Sequence, residues 1–102
     1  LMVRSFLSLE PNQHSEIVVR MKLEGCNTEG QLFWTTSDEP QFSDNKYLNF
    51  RISPDGEWHE YTIPVATHDR WKGKAIRAIR LDPTTGGAQP GSKVEIDWIK
   101  GD

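Results

Sequence analysis

Apolar and polar residues alternate along much of the chain. In residues 16–25, EIVVRMKLEG, Ile17, Val19, Met21 and Leu23 fall on one side, and Val18, Arg20, Lys22 and Glu24 on the other. A period of two marks a strand with one buried face. Residues 30–37, GQLFWTTS, are again rich in strand formers. Residues 46–53 put Leu48, Phe50 and Ile52 on one face and Tyr47, Asn49 and Arg51 on the other. Residues 58–65 oppose Tyr61 and Ile63 to Trp58 and Glu60. Residues 74–82 and 94–100 complete the set, the last closing a sheet, and a short strand is expected near residues 5–9. No helical stripe lasts three turns, and residues 68–74 have room for a single one.

Turn chemistry separates these segments. Pro54-Asp55-Gly56 predicts a turn between two strands, residues 38–45 form a polar loop, and Thr84-Thr85-Gly86-Gly87 with Pro90-Gly91 makes a long loop before the last strand. Closely spaced strands with no linker or internal repeat predict one all-β domain over residues 1–102, an antiparallel β-sandwich or barrel.

Composition narrows the function more than the fold. The 102 residues suit one domain. Fifteen acids against twelve bases leave a net charge of -3, where a nucleic-acid module would carry a basic excess. No apolar run approaches the ~18 residues of a membrane span, so neither nucleic acid nor membrane is expected as a partner. The N-terminal Leu1-Met2-Val3-Arg4 has no charged leader or apolar signal core, and an excised module would lack one in any case. A single cysteine, Cys26, rules out an intrachain disulfide and a multi-cysteine zinc site, and at a strand end after Gly25 it is expected to be an inert packing thiol.

Catalytic patterns are missing. The chain has no G-x-S-x-G elbow, no glycine-rich phosphate loop and no H-E-x-x-H. His14, His59 and His68 are not at metal-ligand spacing. A glycosidase would need two carboxylates facing each other across a sugar. Asp38-Glu39 in a loop and Glu57 and Glu60 around Trp58 do not announce such a pair. The expectation is a protein that binds without cleaving.

Four of the ten aromatic residues are Trp, and flat apolar rings with a polar edge suit sugar faces. Aromatic rings stack on the C–H faces of pyranoses while amides, guanidinium groups and carboxylates bridge the hydroxyls, all best held on a rigid sheet. With Leu32, Leu48, Phe50, Tyr61 and Ile63 inward, one outer face would collect Gln31, Phe33, Tyr47, Asn49, Arg51, Trp58 and Glu60. A one-residue slip would exchange Phe33 for Trp34. Trp71, in DRWKGK, either plugs one end of the sandwich or presents a platform on its loop. Trp98, between Asp97 and Ile99, is expected to be structural. An extended face of this kind fits a linear glucan better than one terminal sugar.

Five segments taken in order carry a family resemblance. They are Gln31-Leu32-Phe33-Trp34-Thr35-Thr36, Gly56-Glu57-Trp58-His59-Glu60-Tyr61-Thr62, Trp71-Lys72-Gly73, Ile79-Arg80-Leu81-Asp82-Pro83 and Val94-Glu95-Ile96-Asp97-Trp98-Ile99. Between residues 31 and 99 the chain resembles the galactose-binding-like jelly-roll modules of bacterial secreted polysaccharide-degrading enzymes. The resemblance implies a non-catalytic module that holds an appended glycoside hydrolase domain on a plant cell-wall β-glucan, in a secreted or cell-surface protein. It also implies that Trp34, Trp58, Trp71, Arg80 and Asp82 can serve the fold, Arg80 and Asp82 as an ion pair, which leaves Tyr47, Asn49 and Arg51 to choose the ligand. Many such modules hold a structural calcium near the first and last strands, for which Glu10 and Asp97 are the matching residues. The alternative is a structural sandwich that packs against a neighbouring enzyme domain, and a small standalone enzyme comes third.

Overall fold

The computed structural model describes residues 3–5, 14–86 and 90–102. They form seven strands: β1 (Val3–Ser5), β2 (Ile17–Glu24), β3 (Glu29–Thr36), β4 (Tyr47–Arg51), β5 (Asp55–Ile63), β6 (Ile76–Asp82) and β7 (Lys93–Gly101). Every pairing is antiparallel, in a four-stranded sheet β1-β6-β3-β4 and a three-stranded sheet β5-β2-β7. The fold is an all-β antiparallel sandwich. Its first strand starts earlier than the sequence pattern predicts, and residues 6–9 lie outside the described residues. The single turn expected over 68–74 is present, the His68 carbonyl accepting from the Trp71 and Lys72 N–H groups at 3.0 and 3.3 Å, and a short 3-10 turn over Val65–Thr67 precedes it.

The alternating residues meet between the sheets. Ile17, Val19, Met21 and Leu23 of β2 face Leu32 and Trp34 of β3 and Ile76, Ile79 and Leu81 of β6, with Ile52, Ile63, Val65 and Trp71 completing the core. Trp34 and Trp71 pack edge to face with ring centres 5.4 Å apart. Their indole N–H groups donate to the backbone carbonyls of Arg70 and His14, each at 3.2 Å. Large apolar area and a satisfied polar edge make a good core Trp. Cys26 is half-buried against this core.

Among the described strands only β3 and β4 follow one another within one sheet; every other step along the chain changes sheet. The decisive crossing is β4 to β5. Asp55 is already in β5, and the turn predicted at Pro54-Asp55-Gly56 is a corner between the two sheets rather than a hairpin. The Asp55 N–H bonds back to the Ser53 carbonyl at 2.9 Å around Pro54, and the Ser53 N–H donates to the Tyr61 hydroxyl at 3.0 Å.

Candidate functional site

The outer face of the four-stranded sheet carries five of the predicted binding residues. Register aligns Tyr47 with Phe33 and Phe33 with Arg80 in one row, and Asn49 with Gln31 and Gln31 with Asp82 in the next. Arg51 stands opposite Glu29. The first row is a stack. Tyr47 and Phe33 lie 5.3 Å apart at 26°, and the Arg80 guanidinium carbon is 4.1 Å from the Phe33 centre. Because Tyr47 and Arg80 come from the strands on either side of β3, both faces of Phe33 are covered. Its ring offers only an edge to solvent. Phe42, from the loop after β3, brings its ring centre within 5.7 Å of the Arg80 guanidinium carbon. Arg80 is also paired with Asp82, Nε to Oδ1 at 3.3 Å, so the ion pair suggested by the sequence forms.

The outer face of the three-stranded sheet is built differently. Its rows are Trp58, Lys22 and Glu95, then Glu60, Arg20 and Trp98. Trp58, 38% exposed, is the one exposed large hydrophobic residue among the described residues. Arg20 and Lys22 lie 5.1 and 5.3 Å from its ring centre. Both come from β2, the single neighbour of edge strand β5, and among the described residues no strand flanks Trp58 on the other side. Each cation also has a carboxylate: Arg20 Nε is 3.2 Å from Asp97 and Lys22 Nζ is 3.0 Å from Glu95. Trp98 sits half-buried on the far edge strand, with Lys100 5.1 Å from its ring centre. From strand and residue spacing the two indoles stand roughly 12 Å apart at the backbone. A groove of about 450 Å³ runs beside this platform, lined by Lys22, Leu23, Glu24, Gly56, Lys93, Val94 and Glu95. Gly56 has φ +78° and carries no side chain to fill it.

The structure therefore divides the predicted surface. Gln31, Phe33, Tyr47, Asn49 and Arg51 share one outer face, while Trp58 and Glu60 belong to the opposite one, because β4 and β5 lie in different sheets. Trp34 is 0% and Trp71 5% exposed, so neither ring has a face for a ligand. Trp34 is inward because β3 keeps the register that makes Leu32 core. Trp98, expected to be structural, is half-buried on the outer side of β7. A bulge lets β7 step from Ile96, opposite Met21, to Trp98, opposite Arg20. Asp97 is the extra residue, and Trp98 is turned outward. Arg20, Lys22 and Glu95 share this outer face with Trp58, and the alternation of residues 16–25 already places the first two outside.

The histidines have local roles. His68 packs edge-on to Trp34 at 4.9 Å. His59 Nε2 lies 2.9 Å from each Asp55 carboxylate oxygen, and this contact holds the Asp55 carboxyl below its ordinary range. For calcium, Asp97 is engaged with Arg20 and Glu10 lies outside the described residues. Strands β1 and β7 belong to different sheets. Among the described residues no three His, Cys, Asp or Glu side chains converge. Compared with known protein families, curated proteins and solved structures, the chain matches none.

Proposed function

We propose that the chain is a non-catalytic carbohydrate-binding module of the galactose-binding-like kind, which holds an attached glycoside hydrolase on a plant cell-wall β-glucan outside a bacterial cell. The observation that carries this reading is Trp58, an open indole supported from beneath by two cations and flanked by a charged groove. A glucan chain would lie across the three-stranded sheet, one ring on Trp58 and another, further along, on Trp98. Arg20, Lys22, Glu60 and Glu95 supply donors and acceptors to the hydroxyl rims. These side chains stand on paired strands, so little order has to be imposed on binding. Each stacked ring contributes on the order of 1 kcal/mol beyond its area, which leads to affinities of about micromolar to millimolar.

Affinity electrophoresis through xyloglucan, mixed-linkage glucan and hydroxyethyl cellulose, with xylan and galactomannan beside them, tests this. Retardation on one or more β-glucans is expected, and Trp58→Ala should weaken it about tenfold, the equivalent of ~1.4 kcal/mol. Tyr47→Ala should leave it nearly unchanged, since Tyr47 belongs to the other face. Loss of binding in Tyr47→Ala alone would transfer the site to the four-stranded sheet. Absence of retardation on every gel would favour the module that only packs against a neighbouring domain. Repeating the gels with calcium and with chelator tests the implied ion.

A further inference from the structure

Among the described residues, each edge strand of the three-stranded sheet breaks its pairing with β2 once, and each break stands next to an outward indole. In β5 the register steps from Trp58 opposite Lys22 to Asp55 opposite Glu24, so Gly56 and Glu57 together oppose Leu23. Gly56 has the positive φ, +78°, of a glycine bulge. In β7 the extra residue is Asp97, directly before Trp98. Val94 and Ile96 pack against the core, so unbroken alternation would have turned Trp98 inward with them. Bulges beside binding sites re-aim side chains in this way.

The two indoles stand on opposite edges of the sheet, and the line between them crosses β2 at Lys22 and Arg20. Those cations are tied to Glu95 and Asp97. The path is therefore aromatic at its ends and polar in its middle. Its length is roughly 12 Å at the backbone. One pyranose advances a 1,4-linked chain by about 5 Å, a six-membered ring and its glycosidic oxygen at bond lengths of ~1.5 Å. Two such steps bridge the indoles, with the outer rings stacked and the middle ring over Arg20 and Lys22. A β-1,4 linkage joins equatorial oxygens at opposite corners of the ring, so the chain runs straight and flat and alternate rings present the same face. A β-1,3 linkage curves the chain and takes the third ring out of the plane. We propose, resting on the reading given above, that this face takes a run of at least three β-1,4-linked pyranoses, and that the spacing of Trp58 and Trp98 selects the linkage.

Indole N–H NMR of the labelled chain reads each tryptophan separately, with the core residues Trp34 and Trp71 as internal references. The probes are cellobiose, cellotriose and cellotetraose, with laminaritriose and laminaritetraose beside them, so that glucose is the only sugar and linkage the only variable. The Trp58 signal should shift with cellobiose. Both the Trp58 and Trp98 signals should shift with cellotriose and cellotetraose, which should bind several-fold tighter through the second stacked ring. The laminari-oligosaccharides should bind no tighter than cellobiose. Trp98→Ala should bring cellotetraose down to the affinity of cellobiose and leave cellobiose unchanged, and Trp98→Phe, which keeps a ring, should restore most of the gain. A motionless Trp98 signal, cellobiose as tight as cellotetraose, or laminaritetraose as tight as cellotetraose would each overturn the proposal, while retardation on the β-glucan gels would preserve the broader reading. No shift with any sugar together with no retardation on any gel would overturn both.

Discussion

Asp38 illustrates how a solvated loop residue acquires a defined energetic role. The Thr36 hydroxyl donates to one of its oxygens at 2.7 Å, and Lys74 Nζ approaches the other at 2.9 Å. These two contacts, the hydroxyl first, lower its carboxyl from 3.8 to about 2. Because the folded value lies below the unfolded one, the ionised group stabilises the fold above about pH 4, and that contribution disappears as pH falls through about 2. Asp38→Asn should therefore lower the melting temperature at pH 6, with the gap to the parent chain closing as both are melted at pH values approaching 2. A gap that persists undiminished there would rule out the ionised contact as its cause. Residue identity was a poorer guide for the tryptophans. All four are equally apolar in sequence, yet Trp34 and Trp71 end as core residues with bonded indole N–H groups, and Trp58 and Trp98 end outside beside cations. Strand register separates Trp34 from Trp58 and Trp98, and the turns between β5 and β6 carry Trp71 into the core.

Strand by strand, the alternation was legible and its interruptions were not. The parity of β2, β3 and β4 correctly separates core from outer residues. In β7 the bulge at Asp97 reverses parity midway, and no residue type in VEIDWIK signals it. The corner at Pro54 was equally opaque, since Pro-Asp-Gly suits a hairpin as well as a step between sheets. That ambiguity merged two outer faces into one. The β3–β4 pair carries a contact visible only once register is known. Gly30 is directly opposite Phe50, and a Cβ on Gly30 would lie 2.7 Å from the ring's Cζ. The ring covers the glycine, so Gly30→Ala overpacks the pair and should destabilise by about 1–3 kcal/mol. Truncating the ring with Phe50→Leu should remove most of that penalty, which urea unfolding of the double-mutant cycle would measure as a coupling. An unchanged penalty in the Phe50→Leu background would refute the ring contact as its origin.

At the level of the whole molecule, the sandwich separates two outer faces. The four-stranded sheet presents a stack whose rings and guanidinium group already satisfy one another. The three-stranded sheet presents an open indole among cations that each have a carboxylate: Arg20 with Asp97, Lys22 with Glu95, and Lys93 with Glu24 at 3.9 Å. A neutral glucan on the three-stranded sheet releases no counterions and gains little from long-range attraction, so salt should hardly affect it. Screening shortens from about 14 Å at 0.05 M to about 4 Å at 0.5 M salt, by scaling the 10 Å length at 0.1 M. Across that range glucan affinity in the electrophoretic assay should change by less than about twofold, under ~0.4 kcal/mol. Glucan retardation that collapsed with salt would mean that charge rather than stacking holds the polymer, and would remove Trp58 from the centre of the site.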